Sequence, residues 1–302
     1  MFKSKVLIVL ASLLMAMTAH AQLLWKVSGN GLTTPSYIMG TYHLAQGNFT
    51  DSVPGLKQAL KACSQVYGEL DMQPLMNDPA AAKRMQQAMQ LPDEQTIDKV
   101  LNAEQYKQLN DFLKQTMGTD LNNPAMASLK RLSPAAINTQ LQLLLYIQTE
   151  KSFNPQDQFD AYFQKYARQN NKKVGGLETI DFQMKILFLN TPIKRQVEQL
   201  MCLINNTDYA RNMAQRIVKA FYKQNLTEIQ KLLEEKRRDA CDSTPEEDAM
   251  LIYNRNANWA KALPAIMKKG STFVAVGAGH LPGEKGLLAQ LKQQGYQVTP
   301  VK

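Results

Sequence analysis

The sequence predicts an α/β fold, a mixed α+β arrangement in which a central β-sheet is flanked by helices and interrupted by a large helical insertion. Three observations predict it. Short apolar runs closed by glycine stand near both ends of the chain, at 36–40 and 272–277. The stretch from about 73 to 170 carries helical signals throughout, and beyond it strand and helix signals alternate to the end. Each terminal run delivers a histidine three residues after its glycine, in Gly40-Thr-Tyr-His43 and Gly277-Ala-Gly-His280. The repetition points to two G-x-x-H halves facing one another.

At the amino terminus, Lys3 and Lys5 precede an apolar run over 6–17 and then Ala19-His20-Ala21. The run is too short to span a bilayer, and small residues sit where a signal peptidase cuts, so residues 1–21 read as a cleaved secretory signal. The expectation is a single domain over 22–302, exported to the periplasm or beyond the cell. Runs at 23–27 and 36–40, separated by Gly29, Gly31 and Pro35, read as paired strands. Leu56 and Leu60 mark a short helix. A strand over 64–71 follows, on which alternation places Glu69 and Asp71 on one face.

Inside the insertion, Asn102 with Gln105 forms a capping box, Gly118 closes that helix, and Ser133-Pro134 opens another. A strand over 172–179 carries Glu178 at its exit. Helical patterns over 208–224 and from Asn225 lead to Thr244-Pro245-Glu246-Glu247, an N-cap with a first-turn proline. On the helix it starts, Ile252, Arg255, Asn256, Trp259 and Leu263 share a face. The apolar run at 272–276 reads as a buried strand, followed by a helix with Leu287, Leu288 and Leu291 and a last strand over 296–301.

Composition narrows the function. The net charge is +9, of which Lys3 and Lys5 supply two, and no basic block is interleaved with aromatics, so nucleic acid is excluded as the partner. No later run approaches a membrane helix, so no transmembrane segment is expected in the mature chain. Cys63, Cys202 and Cys241 have no metal-ligand spacing; Cys202 and Cys241 lie in neighbouring helical segments and can pair, with Cys63 buried near a strand start.

Several chemistries fail on detail. Gly277-x-Gly279 lacks the third glycine of a dinucleotide fingerprint because position 282 is proline, and neither a phosphate loop nor G-x-S-x-G occurs. What remains is two histidines and the strand-end acids Glu69 and Glu178. A lone histidine or strand-end acid is more often structural than functional, but here both histidines share one offset from a glycine after a strand. Two imidazoles with carboxylates make a mixed nitrogen and oxygen set suited to Mn²⁺, Co²⁺, Fe²⁺ or Zn²⁺, and the residues do not choose among them.

Five ordered blocks carry a resemblance: Gly40-Thr-Tyr-His43, Tyr67-Gly-Glu69-Leu-Asp71, Gly176-Leu-Glu178-Thr179, Arg255-Asn256-Ala-Asn-Trp259-Ala260, and Phe273 through Gly283. Together they resemble the TraB/GumN family, related to the Tiki-type metalloproteases and more distantly to the erythromycin esterase and ChaN-like folds. That resemblance implies a divalent-metal-dependent peptidase site. Its G-x-x-H glycines fall on Gly40 and Gly277, which would approach the cofactor, and its metal ligands on His43, Glu69 and His280. Arg255 is implied to stabilise developing negative charge, and Glu178 to be a second acid or ligand. The expected protein is an exported metal-dependent hydrolase of peptides or proteins using Mn, Co or Zn. The alternative is a non-catalytic exported binder of a peptide or small ligand; a haem-binding module using one histidine is a third, lesser possibility.

Overall fold

The computed structural model describes residues 22–302 apart from 93–94, 151–152 and 155–156; the expected signal segment 1–21 lies outside the described residues. Six strands form one mixed sheet: β1 (Leu24–Ser28), β2 (Ser36–Thr41), β3 (Gln65–Gly68), β4 (Lys173–Gly176), β5 (Thr272–Gly277) and β6 (Gln297–Pro300). Their spatial order is β4-β3-β5-β2-β1-β6. The sheet and its flanking helices are the α/β arrangement that the sequence predicts.

β1 runs antiparallel to both β2 and β6, whereas β2, β3, β4 and β5 are mutually parallel. β5 lies between β3 and β2, which explains its composition. A parallel strand in the middle of a sheet is covered on both faces, and Thr272 through Val276 are all buried. The edge strand β4, Lys-Val-Gly-Gly, is only partly buried.

The insertion builds its own core. Leu109 and Leu113 on α3 (Ala103–Met117) pack with Leu141 and Leu145 on α4 (Pro134–Thr149), after α2 (Pro79–Met89). That core is completed from beyond the insertion by Val197 and Leu200 of α6 (Ile193–Asn205). The last helix of the insertion, α5 (Phe159–Gln169), belongs instead to the core around the sheet. There its Phe159 and Phe163 meet Phe49 and Phe273, together with Phe221 of α7 (Thr207–Tyr222). α1 (Leu56–Ala62) packs its Leu56 and Leu60 into the same core.

The helix signals settle into caps with small departures. Asn102 with Gln105 and Thr244 with Glu247 form complete capping boxes, and Gly118 ends α3 in a left-handed turn at φ 72°. At α8 (Leu226–Glu234) Asn225 and Glu228 have the spacing of a capping box, and one half of it forms, the Asn225 side chain accepting from the Glu228 amide. The helix begun at Pro245 passes through a π turn at 249–253 before continuing as α9 (Asn254–Lys269).

β3 stops at Gly68, so the alternation that puts Glu69 and Asp71 on one face ends before either. Asp71 pairs with Arg168 of α5, while Glu69 turns to a different set of partners. Cys202 and Cys241 are joined in a disulfide across 39 positions, with Cys63 free and buried. By chain-entropy arithmetic, a loop of that length stabilises the fold by about 4 kcal/mol. Replacing both cysteines with serine is therefore expected to lower the urea midpoint clearly, and an unmoved midpoint would show that the loop is already ordered when unfolded. Among the described residues no helix is long and apolar enough to cross a membrane.

Candidate active site

The parallel strands bring the candidate residues to one edge. Thr41 stands opposite Gly277, Gly68 opposite Ala275, and Gly176 opposite Gly68. Each chain leaves its strand here, so His43, Glu69, Glu178 and His280 all fall just past the carboxyl ends of four adjacent strands. Open α/β sheets bind their ligands at this edge.

Arg255 of α9 reaches the same place from above and organises it. Its Nε donates to Glu178 Oε1 at 2.8 Å, and its Nη2 to Glu178 Oε2 at 2.9 Å and Glu69 Oε2 at 2.6 Å. Its Nη1 donates to the Leu251 carbonyl at 3.2 Å and lies 3.1 Å from His280 Nε2. The Leu251 carbonyl lies in the π turn, four residues before Arg255. A guanidinium has five N–H bonds, and all five are used. Trp259 closes one side, its Nε1 donating to Glu178 Oε1 at 3.0 Å and its ring 4.4 Å from that of His280.

The tautomer of His280 follows from its partners. Asn256 Nδ2 donates to the Lys285 carbonyl, so Asn256 Oδ1 is the acceptor that faces His280 Nδ1 at 2.7 Å. Nδ1 therefore carries the proton, and Nε2 offers its lone pair to Arg255. Burial pushes His280 down to about 4, and Arg255 adds to this against the opposing pull of Glu69. Burial alone would raise Glu69. That burial is the largest single effect, and it is outweighed only by Arg255, the nearby histidines and the Gly277 amide, which donates to Glu69 Oε1 at 2.8 Å, acting together, so this carboxylate stays below its usual range. Gln183 Nε2 donates to its other oxygen at 3.2 Å.

These shifts carry a pH dependence. Unfolded His280 titrates near 6.5 and folded His280 near 4. Between those values the unfolded chain binds the extra proton, so acid favours unfolding. Stability is expected to hold above about pH 6.5 and to fall by about 3 kcal/mol on the way to pH 4. Urea midpoints across that window test it, since a midpoint that does not move with pH would mean His280 is not held neutral. The depression of Glu69 acts in the same direction at lower pH.

His43 is placed differently. Its ring is 70% accessible, and Nδ1 lies 2.8 Å from Asp160 Oδ2. The hydrogen bond to Asp160 is the first cause raising its affinity for a proton, to about 9, although water around so exposed a ring screens part of that pull. Its Nε2 has no hydrogen-bond partner among the described residues. Asp160 escaped the sequence reading because it lies in the insertion, which carries no motif; the Asn256 that fixes His280 stood inside the R-N-x-x-W block.

Neither G-x-x-H glycine needs a left-handed backbone; close approach is what each provides. A Cβ on Gly40 would stand 3.1 Å from Ala278 Cα, inside the second motif, and 2.9 Å from Cδ1 of Leu281 just after it. A Cβ on Gly277 would stand 3.2 Å from Glu69 Oε1 and 3.4 Å from His280 Cδ2. Gly277→Ala is therefore expected to displace both groups and lower any activity of this site roughly tenfold or more. Steady-state rates beside a wild-type melting curve would test this, and unaltered rates would show that the two groups tolerate the shift.

A divalent metal fits the charge of this cluster better than its positions. Two carboxylates against one guanidinium leave a negative charge that suits a cation. Yet both nitrogens of His280 are engaged, Arg255 fills the space between Glu69 and His280, and His43 stands apart on Asp160. Among the described residues no three His, Cys, Asp or Glu side chains converge to hold an ion. As arranged, the expected set of His43, Glu69 and His280 does not form a metal centre.

A profile of the TraB/PrgY/gumN family matches residues 23–300. The chain is 22% identical to Metalloprotease TIKI2 of Danio rerio, covering 91% of this chain and 60% of that protein. It is 23% identical to Metalloprotease TIKI1 of Danio rerio, over 91% of this chain and 62% of that one. With Metalloprotease TIKI1 of Homo sapiens the identity is 22%, over 91% and 61%. The chain thus spans about three-fifths of the length of these curated relatives. No solved structure matches it.

Proposed function

The chain belongs to the TraB/PrgY/gumN family, and from that membership we propose that it is an exported hydrolase of peptide bonds, working where β2, β3, β4 and β5 end. The observation that carries this reading is the pair of histidines with opposite proton affinities at one sheet edge. His280 is buried, neutral and locked by Asn256 and Arg255; His43 is accessible, favours the imidazolium and leaves Nε2 open.

In this reading water adds to the peptide carbonyl carbon and the C–N bond breaks: the exposed imidazolium of His43 gives its proton to the departing amine, and the new carboxylic acid returns one to the ring as it ionises. Glu69, held ionised by Arg255 and Gly277, supplies a fixed negative charge beside it. Arg255 has no N–H left over for the substrate carbonyl. Its contribution is to hold Glu69 ionised and to orient both Glu69 and Glu178, rather than the direct stabilisation of negative charge that the family resemblance implies. The names of the relatives describe metalloproteases, so dependence on Mn²⁺, Co²⁺ or Zn²⁺ is part of what must be tested. Export is supported by the Cys202–Cys241 disulfide, which suits an oxidising compartment.

The test is cleavage of a diverse peptide library by the mature protein, after chelation and with each metal restored. Cleavage lost in His43→Ala supports the reading. Complete inactivity of the wild-type protein under every condition would end it. The full pairing of Arg255 favours a second reading, a binder of peptides or small ligands without catalysis, which peptide binding without cleavage would select.

A further inference from the structure

The insertion has no task in that chemistry, yet its last helix supplies the one side chain bonded to His43 among the described residues. From this geometry we infer that Asp160 is the positioning residue of His43. Its carboxylate fixes the ring at Nδ1 and thereby presents Nε2 to the cleft. The inference rests on the peptidase reading for what His43 does, though not for how His43 is held.

A carboxylate oxygen only accepts, so at 2.8 Å the His43 Nδ1 must carry the proton. A free imidazole has no such constraint and can turn either nitrogen outward. The holder is itself held. Phe159, next to Asp160, donates its amide to the Ala45 carbonyl at 2.9 Å, two residues beyond His43. Gly47 donates to the Asp157 carbonyl at 2.9 Å, and Gln46 bridges Gln158. From α4, Tyr146 Oη donates to the Leu44 carbonyl at 3.0 Å. Phe159 is wholly buried against Phe49, Phe163 and Phe221. Residues 45–47 after His43 and 157–159 before Asp160 are thus joined backbone to backbone beside the ion pair, and Tyr146 ties down Leu44 next to His43.

The pair itself contributes little stability. His43 is 70% and Asp160 30% accessible, and exposed pairs are worth only about 0.2–1 kcal/mol. What it provides is orientation, as the carboxylate partners of functional histidines do elsewhere.

The test compares Asp160→Asn and Asp160→Ala with the wild-type protein. Both variants are expected to lower kcat about 10- to 100-fold, with KM and the urea midpoint unchanged. Two-bond ¹⁵N–¹H spectra in alkaline buffer, where the ring is neutral, read the tautomer directly, and three histidines in the sequence keep assignment simple. His43 should show the Nδ1–H form in the wild-type protein and lose it in both variants. A wild-type ring in the Nε2–H form would overturn the inference, as would variants that keep both the tautomer and kcat. If no peptide is cleaved at all, the functional reading falls while the spectra still judge the role of Asp160.

Discussion

Replacing Arg255 with alanine is expected to destabilise the protein by about 3–5 kcal/mol, the range seen when one partner is removed from a buried ion pair. Glu69 and Glu178 are each bonded to the guanidinium, and the side chains of Arg255, Glu69 and Glu178 are 7%, 10% and 4% accessible. Without the guanidinium, two carboxylates would face one another in a site from which water is largely excluded. One must then take up a proton or the surrounding helices must open. Lysine should rescue little, because the forked contact with both Glu178 oxygens needs a planar group. Urea unfolding measures the loss, and a shift below about 1 kcal/mol would mean that the cluster relaxes or admits a cation in place of the guanidinium.

His43→Ala should behave in the opposite way. Because the ring is exposed and Asp160 is its hydrogen-bond partner among the described residues, the fold should lose less than about 1 kcal/mol. Peptide cleavage should fall by about 10²–10⁴-fold, the usual contribution of a positioned acid or base. The contrast is the informative part: Arg255 is expected to matter mainly to stability and His43 mainly to rate. If both variants lost stability equally, His43 would be a structural residue and the proton donor would have to be sought elsewhere.

Much of this arrangement was legible in the sequence because it depends on local patterns. The all-apolar run at 272–276 announced a strand covered on both faces, and glycine with a histidine after it marked the carboxyl edge. Helical spacing put Arg255, Asn256 and Trp259 on one face, and all three are buried there. Other features depended on contacts that no spacing encodes. Asp160 meets His43 across 117 positions, through a helix whose own pattern speaks only of packing. The complete pairing of Arg255 needed the Leu251 carbonyl and His280 as well as the two carboxylates. Alternation failed at Glu69 and Asp71 because β3 ended before reaching them.

Gly40 has a consequence for when the site comes into being. The first motif lacks a side chain where Ala278 of the second motif and Leu281 just after it press against it, and β2 pairs with β5 across more than 230 positions. Pairings of such long sequence separation form slowly, after the entropy of closing the intervening loop has been met. A nascent chain not yet extended beyond residue 271 can build the insertion's core and even the β1–β2 hairpin. It still has no His280, no neighbour for Gly40 and no Gly277 amide for Glu69. The site is thereby withheld until β5 has been made and has paired with β2.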